Sequence, residues 1–159
     1  MKNEKVFSLT LGLCLTLLAS PAANSAIIQL RAALNGAQEV PPNLGTPATG
    51  TGVVTFDTGT RQLTWSVSYS NLQSAINGAH FHGPTPAGVD AGIQVPMTIG
   101  ASPLTGSTTT QLTPTQAAEL LAGQWYINIH SVNLPGGEIR GQVLPVRNDF
   151  NADGQADIL

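Results

Sequence analysis

All three histidines of the chain fall in two short segments, Ala79-His80-Phe81-His82-Gly83 and Asn128-Ile129-His130-Ser131. Each segment reads as a β-strand. Residues two apart on an extended strand project from the same face, so His80 and His82 point one way and Phe81 the other, into the core. In Gln124 to His130, the apolar Trp125, Ile127 and Ile129 alternate with Tyr126, Asn128 and His130, so His130 also faces away from the core. Two imidazoles from one strand and a third from another would form a His₃ site for copper or zinc in an oxidising compartment, provided that the two strands are neighbours. The alternative is that the histidines are hydrogen-bonded residues on a wet sheet face, beside Asn128, fixing the loop Pro84-Thr85-Pro86-Ala87-Gly88.

Other residues carry weaker chemical signals. Glu138 and Arg140 flank Ile139 and are expected on the outer face, as an ion pair or as solvated strand residues. A functional account of Arg140 would set it beside the histidines, where its charge steers an anion. Glu39, next to Pro41-Pro42, reads as part of an extended edge segment set by the prolines. The last segment places side-chain oxygens at alternate positions with a glycine at the sharp turn: Asp149, Asn151, Asp153, the Gln155 carbonyl and Asp157. That is the pattern of a calcium loop, and its alternative is a frayed acidic tail.

These residues need a scaffold. From Ile27 onward the sequence is rich in Thr, Val, Gly and Pro and is broken by turn residues at short intervals, the composition of an antiparallel β domain. Strands are expected over 27–34, 51–57, 62–69, 76–82, 92–97, 104–111, 124–130 and 138–144. Asp57-Thr58-Gly59-Thr60 should turn a hairpin, after which Leu63, Trp65, Val67 and Tyr69 share one face. The spacing predicts one short helix over 113–123, with Thr113 as N-cap, Pro114 at its first position, Gln116 completing a capping box and Gly123 ending it. About eight strands in ~115 residues imply an all-β fold, an antiparallel Greek-key sandwich or flattened barrel of immunoglobulin-like type.

The N-terminus reads as a secretory signal peptide over residues 1–26: Lys2 and Lys5 precede an apolar run from Val6 to Leu18, and small residues follow from Ser20 to Ala26. The only cysteine, Cys14, lies in that run, so the mature chain is expected to hold no disulfide and no thiolate zinc site. Losing Lys2, Lys5 and Glu4 from the formal charge of −3 leaves four basic and eight acidic residues, a net of −4. The remaining arginines are scattered, which argues against nucleic acid as a partner. The expectation is one secreted or periplasmic domain over 27–146 with a tail over 147–159 and no membrane anchor.

Four segments resemble, in order, the motifs of the chordin-type (CHRD) domain: Leu34 to Pro42 (LNGAQEVPP), Ala79 to Pro84, Tyr126 to His130, and Pro135 to Gly141 (PGGEIRG). The resemblance spans Ile27 to Leu144 and is similar to bacterial secreted members. It implies an extracytoplasmic β-sandwich or barrel, distantly similar to copper/zinc superoxide dismutases, and implies little about activity. His80-Phe81-His82 matches the dismutase strand that supplies two copper ligands, and Gly136 to Arg140 is similar to its glycine-rich loop carrying an active-site arginine. Three histidines cannot supply the copper site, the bridging histidine and the zinc site together, so dismutase activity is not expected. Asp149 to Leu159 resembles the calcium loop of FG-GAP or VCBS-type repeats, with no blade following it. The reading is therefore a non-enzymatic module that binds a transition metal, or else a structural or adhesive domain with a protein partner at the cell surface.

Overall fold

The computed structural model describes residues 25–146; the leader expected over 1–26 lies outside this range except for its last two residues, and the calcium-loop reading of 149–157 lies wholly outside it. Nine strands follow in chain order: β1 Ile27–Asn35, β2 Thr49–Asp57, β3 Gln62–Ser70, β4 Ile76–His82, β5 Ile93–Pro96, β6 Leu104–Ser107, β7 Tyr126–Ser131, β8 Ile139–Gln142 and β9 Leu144–Pro145. One α-helix among the described residues, α1, spans Pro114–Leu121 between β6 and β7, and a 3₁₀ turn spans Gly36–Gln38 after β1. No helix among the described residues is long and apolar enough to cross a membrane.

The strands form one sheet in the order β5-β4-β7-β8-β1-β2-β3-β6, with β9 added against β1. All the pairings are antiparallel. The sheet curls on itself: Phe81 of β4 and Trp65 of β3 lie near opposite ends of the strand order, yet their rings meet edge to face with centroids 5.4 Å apart. β8 and β1 are joined by the single pair Asn35–Arg140, so the sheet behaves as two halves hinged there, as in a sandwich. The apolar alternation of each strand faces inward. Leu30, Val54, Leu63, Val67, Phe81, Ile127, Ile129 and Ile139 share one core, and none has any measurable exposure.

Local signals act where the sequence places them. Asp57 Oδ1 accepts from the backbone N–H groups of Gly59 and Thr60, closing the β2–β3 hairpin. Thr113 caps α1 with a complete capping box through Gln116, and Gly123 leaves the helix at φ +72°. Leu120 is buried under the sheet, whereas Leu121 is only partly covered. Some boundaries differ from expectation. β6 ends at Ser107 rather than at 111, and the strand expected over 138–144 divides after Gln142, where the chain leaves β7 and Leu144 pairs with Arg31 of β1. A strand that changes partner cannot keep one alternation through the switch.

Candidate metal centre

β4 and β7 are direct neighbours, in the register His80–Asn128, His82–Tyr126 and Gly78–His130. That adjacency brings the three imidazoles together on the face opposite Phe81 and Ile129. One ring nitrogen from each lies within 4.8 Å of the other two. Two nitrogens each ~2.1 Å from a tetrahedral metal are about 3.4 Å apart; His80 Nδ1 and His130 Nε2 are 3.4 Å apart. The His82 nitrogen, within 4.8 Å of both, completes a His₃ set by moving inward.

Backbone carbonyls fix two of the rings. His82 Nδ1 lies 2.9 Å from the Ala91 carbonyl and His130 Nδ1 lies 3.0 Å from the Pro135 carbonyl. A carbonyl only accepts, so both Nδ1 atoms carry the proton and both Nε2 atoms present a lone pair. This is the outer-shell arrangement that orients imidazole ligands on metals. His82 Nε2 is buried and has no hydrogen-bond partner. A buried polar atom without a partner is costly, and a cation at the centre of the cluster would satisfy it.

Gly78 makes room for the cluster. It lies across the ladder from His130, and a Cβ there would stand 3.3 Å from His80 Cε1 and 3.4 Å from His130 Cδ2. A glycine inside a strand pattern signals such a close approach, so Gly78 was accessible to sequence reasoning. Nothing in the sequence marks the Ala91 and Pro135 carbonyls, because backbone acceptors carry no residue signature.

Burial holds the rings neutral. All three imidazoles are pushed below their ordinary value, chiefly by desolvation. Mutual repulsion adds to this at His80 from His130 and His82, and at His130 from His82. At His82 the Ala91 carbonyl opposes the shift and the Arg140 cation reinforces it. Neutral imidazoles in proximity are what a metal requires of its ligands.

The outer face of β7 and β8 is not solvated. Tyr126, Asn128, Glu138 and Arg140 all point away from the core as expected, yet each is at least 96% buried, because loops 36–48 and 83–92 cover them. Thr46 and the Gln73 backbone N–H donate to Glu138 from one side, at 2.7 and 2.8 Å. Arg140 pairs with Asp90 at 2.9 Å and donates to the Val89 carbonyl at 2.8 Å. The expectation of a Glu138–Arg140 ion pair or of solvated strand residues is corrected: both residues are buried, and Arg140 pairs with Asp90 rather than with Glu138. Its guanidinium carbon sits 3.6 Å over the Tyr126 ring, whose other neighbour is the stacked His82 ring at 4.9 Å. Arg140 is thus beside the cluster, but with its charge enclosed and partnered, which leaves a solvent-facing anion-steering role without support from its position. Its charge acts on His82 across the Tyr126 ring, adding to burial in lowering the imidazole's value.

No curated protein and no solved structure matches the chain. The CHRD domain profile matches residues 30–143, a span that begins in β1, ends just before β9 and takes in every histidine and both covering loops. The chain therefore belongs to the CHRD domain family.

Proposed function

We propose that this protein is an extracytoplasmic, non-enzymatic CHRD module that holds one transition-metal ion, copper or zinc, through His80, His82 and His130. The observation that carries the reading is the arrangement of the nitrogens: three converging imidazoles, two of them held by backbone carbonyls with Nε2 turned inward. A His₃ set leaves a fourth position for water or a partner's donor group. The leader pattern over residues 1–26 supports the extracytoplasmic part of this reading. Metal content of the tag-free protein recovered from the secreted fraction tests the reading. About one equivalent of copper or zinc is expected, and none would reject it.

A second reading, a structural or adhesive domain with a protein partner and no metal, draws on the same hydrogen bonds. His82 and His130 tie down the segments around Ala91 and Pro135, a purely architectural task. In either reading the acidic tail, Asp149, Asn151, Asp153, Gln155 and Asp157, is proposed to take calcium at the weak end of the extracellular range, about 10⁻⁴ to 10⁻³ M. NMR of its amides with and without millimolar calcium tests this, and unchanged shifts would discard it.

A further inference from the structure

A cleft of about 400 Å³ that no histidine lines opens on the covered face. Three segments remote in sequence build it: the stretch from Ala37 to Pro42, the loop at Ala87 and Gly88, and Arg140 with Gln142 of β8. Val40, Pro42 and Ala87 give it apolar walls, and Glu39 and Arg140 give it a polar floor. The size falls in the range of small-ligand pockets, which combine apolar lining with a few converging polar groups.

The floor has unused hydrogen-bonding capacity. Glu39 is only 6% exposed; its Oε1 has no partner and lies beneath the cleft surface, so a ligand N–H reaches it once the carboxyl turns outward, and Oε2 accepts from Asn128 Nδ2 at 3.4 Å. Asp90 and the Val89 carbonyl take two N–H donors of Arg140, and a guanidinium has five. The one ion pair among the described residues joins Arg140 to Asp90, so Glu39 and Arg140 stand as neighbours without closing on each other. An unpaired buried carboxyl beside a guanidinium with donors to spare is a costly arrangement for a wall and a serviceable one for a binding floor.

We infer that this cleft is a binding site for a small amide-bearing ligand, whose N–H pairs with Glu39 and whose carbonyl accepts from Arg140. Apolar substituents on such a ligand would lie against Val40, Pro42 and Ala87. An amide suits the floor in both states of Glu39, whose carboxyl is raised to about 7 by burial, partly offset by Arg140. The carboxylate takes the amide N–H, and the protonated acid donates to the amide carbonyl. A ligand carboxylate would pair with Arg140 but meet the like charge of an ionised Glu39, and a ligand ammonium would pair with Glu39 but meet the like charge of Arg140. The inference is independent of the metal reading, since none of its residues is a candidate ligand.

The test is a ¹⁵N-NMR titration of the folded domain with acetamide, N-acetyl-L-alaninamide, acetate and methylammonium. Saturable shifts confined to Val40, Gly88 and Gln142 are expected for both amides, with the two charged probes about tenfold weaker or worse. Tighter binding of the blocked alanine would identify a peptide segment as the natural source, and equal binding a free small amide. Glu39→Leu should weaken acetamide by about tenfold. Ala87→Trp, on an exposed loop, should close the cleft and abolish binding without touching the floor. Absence of saturable shifts, equal binding of acetate or methylammonium, or unchanged acetamide binding in Ala87→Trp would each overturn the inference.

Discussion

Gly78 lies directly across the β4–β7 ladder from His130, and the space a side chain would take there is occupied by the edges of the His80 and His130 rings, at 3.3 and 3.4 Å from an added Cβ. Gly78→Ala therefore has to push the two rings apart by a few tenths of an ångström. The fold tolerates this, because the added methyl points away from the core. Metal affinity should fall by about 10-fold, the scale of outer-shell changes, with the melting temperature nearly unchanged. Isothermal titration beside a thermal melt separates the two effects.

The two faces of β4 should respond differently to truncation. Phe81 is fully buried between Trp65 and Trp125, so Phe81→Ala should cost about 3–5 kcal/mol. His82 lies on the opposite face and gives up one hydrogen bond, so His82→Ala should cost about 1–2 kcal/mol while removing a ligand. Denaturant unfolding of the two variants gives both numbers. A larger loss for His82→Ala would mean that the cluster is a structural keystone.

Acid should remove the stability tied to the neutral imidazoles from pH 6.5 downward. The folded-state imidazoles are held below the ordinary 6.5, so the unfolded chain takes up protons first. The stability tied to the neutral rings is present above pH 6.5 and is lost as the pH falls through their depressed folded values. Metal affinity should fall over the same interval, since each bound proton displaces a ligand. Urea midpoints measured from pH 7.5 downward should decline below 6.5 in the wild type, and the decline should be shallower when all three histidines are replaced by alanine.

Glu39 has the opposite sign. Its folded value of about 7 lies above the ordinary 4.5, so its contribution is fully present below 4.5 and is lost as the pH rises through 7. Glu39→Gln keeps the shape without the buried charge. It should stabilise the domain by on the order of 1 kcal/mol above pH 7 and by almost nothing near pH 4.5. Thermal melts at the two pH values check this, and an equal shift at both would show that charge is not the cause.

Alternation made the direction of His80, Phe81, His82, Ile129 and His130 legible, because the side-chain period of a strand is two whatever packs on it. The capping residues of α1 and the Asp57 turn were legible for a similar reason: their hydrogen bonds are local in sequence. Coverage was not legible. Asn128, Glu138 and Arg140 point where the pattern says, but whether that side meets water depends on loops 36–48 and 83–92 folding across it through contacts such as Thr46 with Glu138. The pairing of β4 with β7 was also beyond reach, since the strand order arises from the curl of the whole sheet.

Calorimetric titration of the tag-free domain with Cu(II) and with Zn(II) decides whether the three converging imidazoles hold one metal ion. About one equivalent of at least one of the two metals should bind, with binding lost in His82→Ala while the fold persists. Equal binding by the wild type and by a variant with His80, His82 and His130 all replaced by alanine would contradict it.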